Sequence, residues 1–176
     1  LIDKAGEHVY SLTDQGVRQI DTIAVQHDNE WGTIASLLVY GGNMYLLDTG
    51  KNRIWKYIGT DEGFSARQQY LVADEFPDFS DATGMAIDGV VWIGTKHGAI
   101  LKFVQGRQET FAPQDVEPVL GQYLIVYTGD DVAHLYVLDN QNSRVVVLDK
   151  EGMYVAQYVW DNGLAPVQLA VSERLQ

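Results

Sequence analysis

An all-β fold is predicted by three features of the 176-residue sequence. Apolar segments are short and end in turns, and Gly (17) is frequent while Pro (4) is scarce. Strand-favouring Tyr, Trp and Phe number 10, 4 and 5. One segment type also recurs, at 43–48, 89–94 and 133–139, so that its ends fall at 48, 94 and 139, steps of 46 and 45 residues. Each copy sits second in a series of four apolar runs. Four antiparallel strands repeated at that period are the signature of a β-propeller blade. A β-sandwich also has short alternating strands, but has no reason to repeat one motif at constant spacing.

Taken in order, residues 1–24 read as the back half of a blade, with strands at 7–12 and 17–23 around a turn at Asp14-Gln15-Gly16. The first complete blade covers 34–73, with strands at 34–40, 43–48, 53–58 and 66–73 and a hairpin turn at 49–52. The second covers 83–112, with strands at 84–87, 89–94, 99–104 and 107–111 and a turn at 95–98. The third covers 121–160, with strands at 123–127, 133–139, 144–149 and 153–160 and a turn at 140–143. The turns carry Gly, Asn and Ser, as hairpin connections require. Residues 165–176 open a further partial blade, its first strand at 166–171. Helix is nearly absent; 74–82 has some helical character, but Pro77 breaks it and it reads as a loop. The whole is one partial propeller domain over 1–176. Leu1 stands where Met opens a translated chain, so a fragment of a larger protein is expected.

Composition narrows the partners. Lys and Arg number 12 against 24 Asp and Glu, a net charge of −12 that repels phosphate backbones and anionic headgroups. Neither nucleic-acid binding nor membrane insertion is expected, and no apolar run reaches the roughly 18 residues that span a bilayer. At 46 % apolar and 20 % charged the chain is too hydrophobic for disorder. The absence of Cys excludes disulfides, thiolate metal sites and Cys nucleophiles, and leaves the cellular compartment open.

The segment Asn43-Met44-Tyr45-Leu46-Leu47-Asp48-Thr49-Gly50-Lys51-Asn52-Arg53-Ile54 resembles the NHL-repeat pattern, in which a Tyr-Val-Ala-Asp-like strand precedes Thr-Gly-Asn-Asn-Arg-Ile. Leu135-Tyr136-Val137-Leu138-Asp139-Asn140-Gln141-Asn142-Ser143-Arg144-Val145 repeats it, while the middle copy departs with Gly94 for Asp and Ala99 for Arg. The resemblance implies an NHL-like propeller, typically six-bladed, seen here as a partial ring. It also implies a non-catalytic scaffold for protein or ligand binding. The rival is part of a propeller hydrolase, lactonase or lyase with its catalytic residues largely outside this segment. Some such enzymes hold a metal at the ring centre, with ligands near the first strand of each blade. Those strands here, around 36–40, 85–88 and 124–127, are almost wholly apolar, and Asp88 alone makes no metal site.

No catalytic residue, cofactor or metal site is therefore expected. His8, His27, His97 and His134 form no metal-binding spacing, and no nucleophile elbow or phosphate loop is present. Asp48 with Arg53, and Asp139 with Arg144, read as structural turn pairs: the carboxylate accepts amides of its own turn and the Arg across the hairpin closes a charge-assisted bond. The candidate binding face is the acidic, aromatic loop with Asp74, Glu75, Phe76, Asp78, Phe79 and Asp81, joined by Trp31, Trp160 and Asp161 at similar inter-blade positions. Alternatively, the Phe side chains plug the gap between blades while the acids stay solvated. Trp55 and Trp92 read as packing between adjacent blades. The expected partner is a protein or the remainder of the same propeller, with a homo-oligomer that buries open blade faces as a further possibility.

Overall fold

The computed structural model describes residues 10–13, 16–19, 31–61, 63–161 and 163–173. They contain no α-helix, and each β-ladder between named strands is antiparallel. The chain divides into two compact units, one ending at Ser80 and one beginning at Asp81.

In the first unit, β1 (Tyr10–Thr13) and β2 (Gly16–Gln19) form a hairpin. They overlap the two strands expected at the start of the chain, each reaching one residue further towards the turn; the remainder of those strands, with His8 and His27, lies outside the described residues. Strands β3 (Ile34–Tyr40), β4 (Asn43–Asp48), β5 (Arg53–Tyr57) and β8 (Gln68–Gln69) make a four-stranded meander. A small hairpin, β6 (Gly59–Thr60) with β7 (Gly63–Phe64), interrupts the route to β8, so the fourth strand is shorter than its sequence suggests. Met44, Leu46 and Tyr57 are the buried heart of this unit, and Trp31, Ile34, Leu37, Trp55 and Phe64 pack against them.

The second unit has two four-stranded meanders. The first is β9 (Ala82–Ile87), β10 (Val90–Thr95), β11 (Ile100–Val104) and β12 (Arg107–Glu109). The other is β13 (Ile125–Tyr127), β14 (Leu135–Asp139), β15 (Arg144–Leu148) and β16 (Tyr154–Val159), with one 3-10 turn at Asn140–Asn142 between β14 and β15. Period-2 alternation places Leu135 and Val137 of β14 beside Val146 and Leu148 of β15 in one layer, and that layer meets Ala86, Trp92 and Ile100 of the other sheet. Trp92 is fully buried there, edge-on to Phe111 at 5.0 Å, which matches its reading as packing between sheets.

Two local outcomes differ from the sequence reading. The segment 166–171 joins no ladder. It is tied to the last sheet by side chains instead: Asn140 Nδ2 donates to the Pro166 carbonyl at 2.7 Å and the Tyr127 hydroxyl to that of Val171 at 3.3 Å. A first strand needs the second strand of its own sheet, and none pairs with it among the described residues. The middle hairpin also turns later, at 96–99, because β10 extends through Thr95. There the Thr95 hydroxyl accepts from the Ala99 amide and donates to its carbonyl, both at 2.9 Å, supplying the closure that Asp gives elsewhere. Thr95 thus stands where β4 ends in Asp48, and the residue before it, Gly94, is required for a steric reason. A Cβ at this position would sit 2.4 Å from the Leu124 carbonyl oxygen, so only glycine lets β10 approach the next sheet so closely.

Candidate functional site

The two turn aspartates are completely buried and differently satisfied. Asp48 accepts from Gly32 N at 2.8 Å, Lys51 N at 3.1 Å and the Trp55 indole at 3.0 Å. Arg53 lies opposite Asp48 in the ladder, yet its guanidinium donates to the Asn52 carbonyl at 3.1 Å. The expected Asp48–Arg53 bond is thus replaced by the indole, whose N–H reaches the carboxylate from two residues further along β5. Asp139 and Arg144 do pair, Nε to Oδ2 at 3.0 Å, and Asn142 adds bonds from its amide and side chain. All five guanidinium donors are used: besides Asp139 they reach Gln157 Oε1 and the carbonyls of Glu117, Pro118 and Val119. Arg144 therefore fastens the loop before the third sheet as well as its own turn.

The acidic, aromatic loop separates its two phenylalanines. Phe79 is fully buried, and its amide donates to Asn52 Oδ1 at 2.9 Å, which anchors the loop to the β4–β5 turn. Phe76 is 79 % exposed. Asp74 and Asp78 are exposed and Glu75 is half-buried around it. Bonds from the Ser80 amide and hydroxyl hold the Asp78 carboxyl below the usual carboxylate range, against a small opposing effect of burial, so the negative charge beside Phe76 persists into mild acid. Asp81 belongs to the second unit, where it meets His97 Nε2 at 2.8 Å. Trp31 turns into the core of the first unit, donating to the Tyr57 hydroxyl at 2.8 Å. In the second unit Trp160 donates to the Leu164 carbonyl at 3.3 Å, with Asp161 exposed beside it.

Two polar clusters in the second unit are not visible in the sequence, because the pairs at their centres, Lys150 with Asp88 and Glu173 with His134, lie 62 and 39 residues apart. In the first, Lys150 Nζ bridges Asp88 Oδ2 at 2.5 Å, the His134 carbonyl at 3.0 Å and the Thr128 hydroxyl. Asp88 also takes the Trp92 indole N–H at 3.0 Å. Burial pushes the Asp88 carboxyl up, but the bonds from Lys150, Trp92 and Val90 together with the Lys150 charge outweigh it and hold it below its ordinary range. This is a latch between the two sheets, with each polar group paired.

The second cluster clamps the segment after β16. Glu173 takes the Ala133 amide at 2.7 Å on one oxygen, and on the other His134 Nδ1 and the Tyr136 hydroxyl, both at 2.9 Å. Burial works against the Glu173 charge, yet these three bonds hold its carboxyl down at about 2. Tyr136 is pushed up to about 12 by burial first and then by the Glu173 bond and charge. Since the folded carboxyl titrates below its ordinary 4.5, the clamp is complete above that pH and weakens as pH falls from about 4.5 towards about 2. Hydrogen exchange at pH 3 is expected to deprotect Ala133 before the centre of β14, and Glu173→Gln should deprotect it at neutral pH as well. Equal Ala133 protection in wild type and Glu173→Gln at neutral pH contradicts the clamp.

Chemically, a carboxylate on Nδ1 orients the half-buried His134 imidazole as in a general base. Among the described residues no group of three or more His, Asp or Glu could hold a metal ion. The first strands of the three sheets, read as IASLLVY, ATGMAI and IVY, contain no His or carboxylate.

Comparison with known proteins identifies the fold. No protein-family model matches the chain, and no curated protein matches its sequence. Among solved structures it is similar to virginiamycin B lyase from Staphylococcus aureus, at 15 % identity and a TM-score of 0.55, covering 88 % of this chain and 49 % of that one. It is similar to a chain of the nidogen/laminin complex at 12 % identity and a TM-score of 0.55, covering 85 % and 56 %. It also matches PorZ of Porphyromonas gingivalis, described as a bacterial surface component of the type-IX secretion system, at 12 % identity and a TM-score of 0.50, covering 90 % and 20 %. The chain thus spans about half the length of the first two. These are β-propeller proteins, and the chain has a β-propeller-like fold, as the 45- and 46-residue period predicts.

Proposed function

We propose that this part of a propeller is a non-catalytic scaffold that binds a protein partner through the loop carrying Asp74, Glu75, Phe76 and Asp78. The observation that carries this reading is the unequal fate of the two phenylalanines. Phe79 is sunk and fixes the backbone, while Phe76 is left in water with carboxylates around it. A large aromatic side chain on an anchored loop costs little conformational entropy to bind, and such residues supply most of the energy of a contact surface. The apolar first strands support the scaffold over an enzyme. The catalytic reading, part of a propeller hydrolase, lactonase or lyase, places its catalytic residues largely outside this segment, and His134 with Glu173 and Tyr136 is what the described residues could add to it. The partner expected by charge is cationic and apolar; nucleic acid and membrane are disfavoured by the net charge of −12.

A panel of labelled peptides that varies charge and aromatic content tests this by fluorescence anisotropy. Cationic, aromatic members are expected to bind, and Phe76→Ser should weaken them about tenfold, since truncating an anchor residue typically costs more than 1 kcal/mol. Binding that survives Phe76→Ser unchanged, or prefers anionic peptides, removes this loop from the site.

A further inference from the structure

The structure assigns a second docking surface, on the second unit, for an extended cationic segment with an apolar side chain at its centre: the strip from Asp115 to Tyr123. This strip occupies the same place in the chain order as the Phe76 loop, between the last strand of one sheet and the first strand of the next. It repeats the local pattern, Asp-Glu-Phe-Pro at 74–77 and Asp-Val-Glu-Pro at 115–118.

The strip alternates between residues fixed to the fold and residues presented to water. Val116 is buried and Leu120 packs against the same core. The carbonyls of Glu117, Pro118 and Val119 are bonded to the buried Arg144, and Asn142 Nδ2 adds a second bond to Val119 at 3.1 Å. Gly121 is wedged against the 139–142 turn, where a Cβ would meet Gln141 Cβ at 2.5 Å and Asp139 Oδ1 at 2.6 Å. The Gln122 amide is held by Gln141 at 2.9 Å. With the backbone pinned at consecutive points, Val119 remains 73 % exposed and Tyr123 61 % exposed. Tyr123 is held at φ 57°, a region that bulky residues rarely occupy and that recurs at ligand-binding positions.

Charge selects the occupant. Asp115 and Glu117 are exposed beside Val119, while the guanidinium of Arg144 under the strip is buried and fully engaged. The basic group at the other end is Lys96, whose carbonyl accepts the Tyr123 amide. Two copies of a chain of charge −12 would bring these carboxylates together, so a second copy is the poorer match and a cationic segment the better one. Its apolar side chain would sit between Val119 and Tyr123, with flanking Arg or Lys residues on Asp115 and Glu117. The surface goes beyond the Phe76 loop and rests only on the broader reading of the chain as a binding scaffold.

The test uses the 176-residue chain and a fluorescein-labelled decapeptide of two Leu flanked by Arg pairs in a Gly background, with a Glu-for-Arg counterpart. The Arg peptide is expected to bind at least tenfold more tightly than the Glu peptide. Val119→Ser and Tyr123→Ala should each weaken it about fivefold or more, and Glu117→Gln about twofold with a shallower salt dependence. Because these side chains are exposed, the variants should melt with wild type, and Phe76→Ser should not change this binding. Loss on Phe76→Ser with no effect of Val119→Ser would overturn the second surface while leaving the scaffold reading intact. Equal binding of the two peptides, or none at millimolar peptide, would also overturn it. Sedimentation of Val119→Ser against wild type separates the remaining occupant: a shift in self-association would make this surface a contact between copies.

Discussion

Arg144→Ala is expected to destabilise the sheet of β13 to β16 by about 3–5 kcal/mol, read as a fall in the denaturant midpoint. The group removed is 1 % exposed and its partner Asp139 is 0 % exposed, so truncation strands a carboxylate in the interior. It also leaves the carbonyls of Glu117 and Pro118 without their donor, and that of Val119 with Asn142 Nδ2 alone. That second consequence sets this pair apart from an ordinary buried ion pair. Replacing both partners by apolar residues usually recovers the loss, because the two desolvation costs disappear together. Here Asp139→Leu with Arg144→Met should recover only part of it, since the Glu117 and Pro118 carbonyls remain unpaired, at about 1–3 kcal/mol each where water cannot reach them. A double variant as stable as wild type would show that the loop bonds carry no weight. Arg144→Ala within about 1 kcal/mol of wild type would show the same of the pair.

At micromolar concentration the 176-residue chain is expected to sediment as a dimer or larger species rather than at 19.6 kDa. The physical cause is the last sheet. The outer strands β8 and β12 are two and three residues long and polar, as natural edges usually are. Strand β16 is six residues long, reads YVAQYV without a charge, and leaves Val155, Tyr158 and Val159 exposed. Leu164 and Val167, in the segment that follows, are exposed as well. Each 100 Å² of apolar surface removed from water contributes about 2.5 kcal/mol, so covering a few hundred Å² competes with the whole stability of a small domain. The charge of −12 opposes contact between copies, and salt should therefore promote association by screening it. The occupant can be a second copy or further strands of a longer chain. Val155→Lys with Tyr158→Lys should return the monomer in either case. A monodisperse monomer with a cooperative melt in the wild type refutes this expectation.

The sequence by itself determined the repeat, and through it the fold. Alternation and turn chemistry act over two to six residues, so they were legible at β3, β4, β5, β10 and β11, within a residue or two. The acceptor role of Asp48 and Asp139 in their turns followed from their place at strand ends. What lies across the sheets was not legible. No local signal says that the Trp55 indole rather than Arg53 reaches Asp48, since the choice depends on which side chain the hairpin twist aims at the carboxylate. No local signal joins Lys150 to Asp88 or Glu173 to His134, because each pair forms only when one sheet, or the segment after it, is laid against another. The same holds for the proposed binding surfaces. Composition marked the loop around Phe76 as acidic and aromatic, but only packing decided that Phe79 goes in and Phe76 stays out. Val119 carries no signal in the sequence at all. It is held in water by the guanidinium of Arg144, 25 residues further along, because a buried cation with five donors must take its acceptors from whichever backbone the fold brings within reach.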